Sequence, residues 1–336
     1  MYVCARRDAG TDASQSLKFL KGNNLSQSAA VLAMHPEVQK LFPNPPARWN
    51  LLDIAGGVEE TITRRGAEVE VLLCASVLKL DKATLACFPN LKLIASVSVG
   101  FTNIDLDECR SRGISVTNAP GLNSGDVADL AAAMMTSLLL RMQQVHEYIM
   151  TDQWATSVPP LRHSIRNVPV GIVGLGSIGK EVAKRLSPFG VDLKWWGPRP
   201  KPEVDLPYVE SLEELASACR GLIVCCRPDD TTRNLINAKI IDCLGPEGAL
   251  VNVSRGSVVD EDALINALKT NRLGSAGLDV FAAEPTSSAK WAEVPNVILT
   301  PHQGGATYET LFAQAELTQS NVENFLDAKP LMSSVL

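Results

Sequence analysis

At 336 residues the chain exceeds what one small core accommodates, and about two domains are expected. With 46% hydrophobic and 20% charged residues, and a net charge of −6 spread over interspersed acids and bases, it suits neither a nucleic acid nor an anionic membrane as partner. The eight cysteines (Cys4, Cys74, Cys87, Cys109, Cys219, Cys225, Cys226, Cys243) show no CxxC pair and no histidine at metal-ligand spacing, so reduced core thiols of a cytoplasmic protein without a metal are expected.

Residues 1–28 carry Arg6 and Arg7 beside Asp8 and Asp12 with no apolar run after them, so a flexible leader is expected rather than a secretory signal. From Ala29, short apolar runs alternate with helix-like segments, the pattern of βαβ units with parallel strands. Strands are expected at "AAVLAM" (29–34), "EVEVLLCAS" (68–76), "LKLIASVS" (91–98) and "ISVTNA" (114–119), with helices at 57–66, 81–88 and 105–113, each closing near Gly or Pro. One amphipathic helix is expected over 123–150, capped by Ser124 or Asp126, its Ala and Met residues suiting a domain or subunit contact. After a Pro-containing loop (156–167), a second series places strands at 169–176, 191–197, 221–226, 248–254, 274–280 and 296–301. A last helix, 306–327, either closes this second domain or crosses back to the first. Two unequal α/β domains with a cleft between them are expected, and no apolar run reaches the roughly 18 residues of a membrane span.

Gly174, Gly176 and Gly179 form G-x-G-x-x-G directly after an apolar strand and at the head of a helix, the context in which this pattern marks a dinucleotide site. The first glycine makes the turn, the second admits a pyrophosphate and the third packs helix on strand. About 20 residues further on, an NAD site carries an acid for the ribose hydroxyls. Here the second strand ends in Gly197, Pro198 and Arg199, with Lys201 following and no acid before Glu203. A carboxylate would repel a 2′-phosphate, whereas Arg199 and Lys201 attract one, so NADPH is favoured over NADH; the competing reading leaves both cations facing solvent.

Arg255, Glu284 and His302 each follow a strand of the second series, the edge at which open α/β sheets place ligands. Reduction of a 2-keto acid needs a cation for the carboxylate, which Arg supplies, and a proton donor for the oxygen, which His supplies near neutral pH. A Glu beside that His favours the imidazolium and orients it.

Through "SVGFTNIDLDECRSRGISVTNAPG", "GIVGLGSIG", "LVNVSRGSVVDEDAL", "GLDVFAAEP" and "TPHQGGAT", the chain resembles the D-isomer-specific 2-hydroxyacid dehydrogenases from about Ala29 to about Leu326, and most of all the NADPH-dependent hydroxypyruvate/glyoxylate and hydroxyphenylpyruvate reductases. The intervals from Arg255 to Glu284 and from Glu284 to His302 match that family's catalytic spacing. The resemblance implies a flavodoxin-like substrate domain (29–122 and 305–336) and a Rossmann domain (123–304). It also implies a homodimer through the 123–150 region, and a substrate pocket built partly by the loop around Ser76 to Leu78. It gives Arg255 the substrate carboxylate and keto oxygen, His302 the acid/base role and Glu284 the part of its partner, with the amides of Val99 and Gly100 on the carboxylate. Ser177 and Ile178 would hold the pyrophosphate, Asp279 the nicotinamide carboxamide, and Val253, Ser254 and Gly304 would line the same cofactor site. Two features depart from the family. "RPDDTT" brings Arg227 near the cofactor loop, either to a phosphate or to solvent, and Arg199 is displaced by one residue from the usual Ser-Arg-Ser, which keeps NADH as the alternative cofactor. Competing functions are an NAD-linked dehydrogenase of another 2-hydroxy acid such as phosphoglycerate, and a dinucleotide-sensing, corepressor-like binder.

Overall fold

The computed structural model describes residues 28–76, 78–159 and 161–336, so the expected leader lies outside the described residues except for Ser28, as does Val77 of the loop assigned to the substrate pocket. Chain contacts separate two units, one reaching to Pro120 and including Leu311–Leu336, the other spanning Gly121–Thr310. Among the described residues no helix is long and apolar enough to cross a membrane.

The first unit is built on five parallel strands, β1 (Ala29–Ala33), β2 (Trp49–Leu51), β3 (Val71–Cys74), β4 (Leu93–Ser96) and β5 (Ser115–Thr117), in the order β2-β1-β3-β4-β5. Strands covered on both faces read as continuous apolar runs, and Val31, Leu32, Leu72, Leu73, Leu93 and Ile94 are accordingly fully buried. The strand β2 was not among those expected, because three residues behind a proline cluster carry no period. It is held by pairing with β1 and by Trp49, whose indole N–H donates to Glu323 Oε1 at 2.6 Å. Arg48 bonds Glu323 and Asp327 from the same edge, tying the helix Tyr308–Leu326 to the sheet, where Val322, Phe325 and Leu326 join Val31, Val71 and Leu93 in one core.

The second unit carries six parallel strands, β6 (Pro169–Val173), β7 (Asp192–Trp196), β8 (Gly221–Val224), β9 (Ala249–Asn252), β10 (Ser275–Leu278) and β11 (Val297–Leu299), in the order β11-β10-β9-β8-β6-β7. The chain runs from β6 outward to β7 and then returns to β8 on the other side, so the winding reverses between β6 and β8 and opens a crevice at their carboxyl ends. The single helix expected over 123–150 is two helices, Ser124–Leu139 and Met142–Met150, because Arg141 is left-handed at φ 52 and ends the first. Its cap also differs: Asn123 stands at the N-cap, while Asp126 accepts bonds from the Thr307 and Thr310 hydroxyls. The Ala and Met face packs on the helix's own sheet. A Cβ on Gly221 would lie 2.7 Å from Met135 Sδ, and one on Gly277 would lie 3.1 Å from Met134 Cβ, so these glycines let the helix lie close. Nor are all the cysteines core residues: Cys74, Cys109 and Cys219 are buried, whereas Cys87 is exposed.

Candidate active site

At the β6/β8 reversal the three glycines of the turn do different jobs, each visible as the contact an added Cβ would make. At Gly174, with φ 91, it would meet Cys226 Cα at 2.5 Å; at Gly179 it would meet the Gly174 carbonyl oxygen at 2.3 Å; at Gly176 it would meet nothing within 4 Å. The first and third positions are therefore closed by backbone, and the second opens onto free space. The helix Ser177–Leu186 starts there with no side-chain cap, and the amides of Ser177, Ile178 and Gly179 have no acceptor among the described residues. A helix N-terminus with free amides and an open glycine is a cradle for a pyrophosphate, so the residues present fit a dinucleotide.

The loop after β7 is more ordered than its proline content suggested. Trp195, 1% exposed, packs on Tyr208 at 4.9 Å between ring centroids and donates to Leu206 O at 3.1 Å, while the Tyr208 hydroxyl donates to Gly197 O at 3.1 Å. Pro198 and Arg199 are exposed, and Arg199 has no ion-pair partner among the described residues. Lys201 does not face solvent as the competing reading had it; its Nζ turns inward and donates to Leu175 O at 2.6 Å. Arg227, on the loop after β8, is exposed without a side-chain partner among the described residues.

On the other flank of the sheet, His302 Nδ1 lies 2.7 Å from Glu284 Oε2, and the remaining Glu284 oxygen accepts the Phe281 amide at 3.0 Å. His302 is left-handed at φ 55, a conformation that raises the energy of an L residue by about 1 kcal/mol and needs support. Asp279 provides it. The carboxylate, 3% exposed, accepts from Thr300 Oγ1 at 2.5 Å, Gln303 N at 2.8 Å and Gly304 N at 2.8 Å, clasping the loop on both sides of the histidine. Four acceptor positions on a carboxylate minus these three leave one for a ligand. Arg255 sits beyond β9, its Nη1 donating to Ser254 O at 2.7 Å.

Three residues that the sequence reading passed over hold this arrangement together. Asn252, 1% exposed, accepts from Ser254 N and donates to Arg255 O, both at 3.0 Å, fixing the backbone turn under Arg255. Gly256 lies so close to the segment leading to Glu284 that a Cβ would meet the Phe281 carbonyl at 1.9 Å. Glu261 accepts the Ala282 amide at 2.9 Å and pairs with Lys290 at 2.5 Å. The one sequence signal was the polar Asn252 inside the otherwise apolar run "ALVNV". Val253 and Ser254 are buried beside the turn, the Ser254 hydroxyl donating to Cys226 O at 2.5 Å, and burial raises the Cys226 thiol to about 11, so it is unionised at neutral pH.

In the first unit, the loop after β4 presents Val99 and Gly100. Asn118 Nδ2 donates to Val99 O at 2.7 Å, and the amides of Val99 and Gly100 have no acceptor among the described residues.

A glycine turn at a winding reversal, with an arginine and a Glu–His pair at neighbouring strand ends, defines a dinucleotide-dependent dehydrogenase. Residues 132–304 match the NAD-binding domain of the D-isomer-specific 2-hydroxyacid dehydrogenases. A glyoxylate/hydroxypyruvate reductase of Arabidopsis thaliana is 36% identical over 92% of this chain and 100% of its own. A hydroxyphenylpyruvate reductase of Plectranthus scutellarioides is 38% identical over 76% of this chain and 82% of its own. The crystal structure of an NADPH-dependent glyoxylate/hydroxypyruvate reductase from Sinorhizobium meliloti, in complex with NADP and malonate, superposes with a TM-score of 0.78 at 30% identity, covering 91% of this chain and 96% of that one. The chain belongs to the D-isomer-specific 2-hydroxyacid dehydrogenase family and is an NAD(P)-dependent oxidoreductase.

Proposed function

We propose that the protein reduces a small 2-keto acid, glyoxylate or hydroxypyruvate first and an aryl-pyruvate next, to the D-2-hydroxy acid, with NADPH preferred. The observation that carries the chemistry is the 2.7 Å contact between His302 Nδ1 and Glu284 Oε2, with Glu284 itself fixed by the Phe281 amide. Glu284 accepts the Nδ1 proton and thereby leaves Nε2 of His302 to face the substrate oxygen. His302 holds a proton there and delivers it as negative charge develops on that oxygen. Arg255 binds the carboxylate and the keto oxygen by charge-assisted hydrogen bonds, and in the first unit the free amides of Val99 and Gly100 are the proposed anion-binding group. The bound dinucleotide supplies the two electrons and the hydrogen taken up by the carbonyl carbon. Its pyrophosphate falls to Ser177 and Ile178, its carboxamide to the spare acceptor position of Asp279, and its 2′-phosphate to Arg199, with Val253, Ser254 and Gly304 lining the pocket. The test is absorbance loss at the reduced nicotinamide with glyoxylate, hydroxypyruvate, hydroxyphenylpyruvate and phosphohydroxypyruvate, each against both cofactors, with chiral analysis of the product. An L-product, or turnover confined to the phosphorylated acid with NADH, contradicts the proposal.

A cytoplasmic homodimer is part of it. Met142, Ile149, Met150, Trp154, Val158 and Leu161 are exposed within one stretch of twenty or so residues, an apolar surface that a second copy would cover. Light scattering of a monomer at micromolar concentration contradicts the dimer, and a fluorescent fusion found in an organelle contradicts the compartment.

A further inference from the structure

The two cations of the loop after β7 are oppositely placed, and that difference divides their work. Lys201 Nζ donates to Leu175 O at 2.6 Å, the residue between the first two glycines of the turn, and stands 5.9 Å from the Trp195 ring centroid. The same ring is the floor of the loop: it is 1% exposed, bonds Leu206 O and packs on Tyr208, whose hydroxyl holds Gly197 O. The lysine carbonyl in turn accepts the Val204 amide at 3.0 Å. The loop is thus pinned at Gly197, Lys201 and Leu206, and Lys201 is the pin that reaches the phosphate-binding turn itself. Arg199, two residues earlier, is exposed and has no ion-pair partner among the described residues.

We propose that Lys201 is a positioning residue that latches the ribose loop onto the glycine turn, so that it strengthens NADPH and NADH binding alike, while Arg199 alone discriminates between them. Two observations support this division. A charge-assisted bond to a backbone carbonyl fixes the shape of the Gly174–Gly176 turn, where both cofactors place the same pyrophosphate. The ammonium is also partly committed to that carbonyl and to the indole face, which directs one of its donors and its charge away from the loop tip. The proposal rests on the dinucleotide reading of the turn, and its Arg199 half rests on the NADPH preference.

The experiment is equilibrium titration of the full chain by fluorescence of the reduced nicotinamide, without substrate, with NADPH and NADH in parallel. Lys201→Met is expected to raise both dissociation constants by the same factor, about tenfold, leaving their ratio unchanged. Arg199→Ala is expected to raise the NADPH constant about tenfold and leave the NADH constant where it was. Lys201→Arg, which keeps the donor and the charge, is expected to recover both affinities, separating the latch from a general loss of folding. A selective loss of NADPH binding in Lys201→Met makes Lys201 a phosphate reader and overturns the latch, as does no loss with either cofactor. If the unaltered protein binds NADH as tightly as NADPH and Arg199→Ala changes neither, the NADPH preference fails while an equal loss in Lys201→Met still upholds the latch.

Discussion

The two flanks of the second sheet are built by different means. At the β6/β8 reversal the cofactor turn is shaped by what is missing: Gly174 and Gly179 are closed against backbone, and Gly176 is open. On the β9–β11 flank the His302 loop is shaped by carboxylates, Asp279 clasping residues 300–304 and Glu284 held between Phe281 N and His302. A phosphate can be bound by backbone amides, so that flank needs only room. On the proposed reading a proton is delivered from one nitrogen in one orientation, so the other flank needs side chains that remove freedom from a histidine.

If that contrast is right, substitutions on the two flanks have separable effects. Gly179→Val drives a branched side chain into the Gly174 carbonyl and is expected to weaken NADPH binding by at least about 100-fold, with the His302 imidazole signals in the NMR spectrum unmoved. Shifted imidazole signals show that the flanks are coupled. Asp279→Asn replaces an acceptor oxygen by a donor facing amides and is expected to lower kcat on the order of 100-fold through misplacement of His302. Binding of ADP-ribose, which lacks the nicotinamide, should then be unchanged, and a matching loss there shows that the substitution disturbs the cofactor site beyond the His302 loop. Gly256→Ala pushes the Arg255 turn against Phe281 and is expected to destabilise the protein by roughly 2 kcal/mol in urea unfolding, an effect absent if the two segments can part.

The smallest effect is a control in the first unit, far in sequence from either flank. Bonding to Arg48, and then to Lys329, holds the Asp327 carboxyl down to about 2. Its native pKa lies below the unfolded one, so its contribution is present above the ordinary carboxylate range and disappears as pH falls from about 4 towards 2. Arg48→Met should flatten the acid limb of the stability curve in that window and leave cofactor affinity alone.

The same contrast governs how much could be read in advance. The glycine turn was legible because glycine spacing is itself the geometry, and most strands were legible because doubly covered strands are continuous apolar runs. The strand β2 and the break at Arg141 were not, since a three-residue edge pairing and one left-handed residue leave no period in the sequence. The motifs also gave Arg255, Glu284 and His302, of which the structure brings Glu284 and His302 into direct contact. What holds them was not legible: Asn252 bonds residues two and three positions on, and Gly256, Glu261 and the clasp of Asp279 close contacts between strand ends 21 to 25 residues apart. Lys201 shows the limit most clearly: composition placed a cation near a phosphate, and only the fold shows it turned towards Leu175.

The proposed role of His302 as proton donor of a keto-acid reductase is decided by steady-state reduction of hydroxypyruvate by the unaltered protein and by His302→Ala, with the NADPH dissociation constant measured on both. A fall in kcat of roughly 1,000-fold with the dissociation constant unchanged is expected. A kcat that survives the substitution contradicts it.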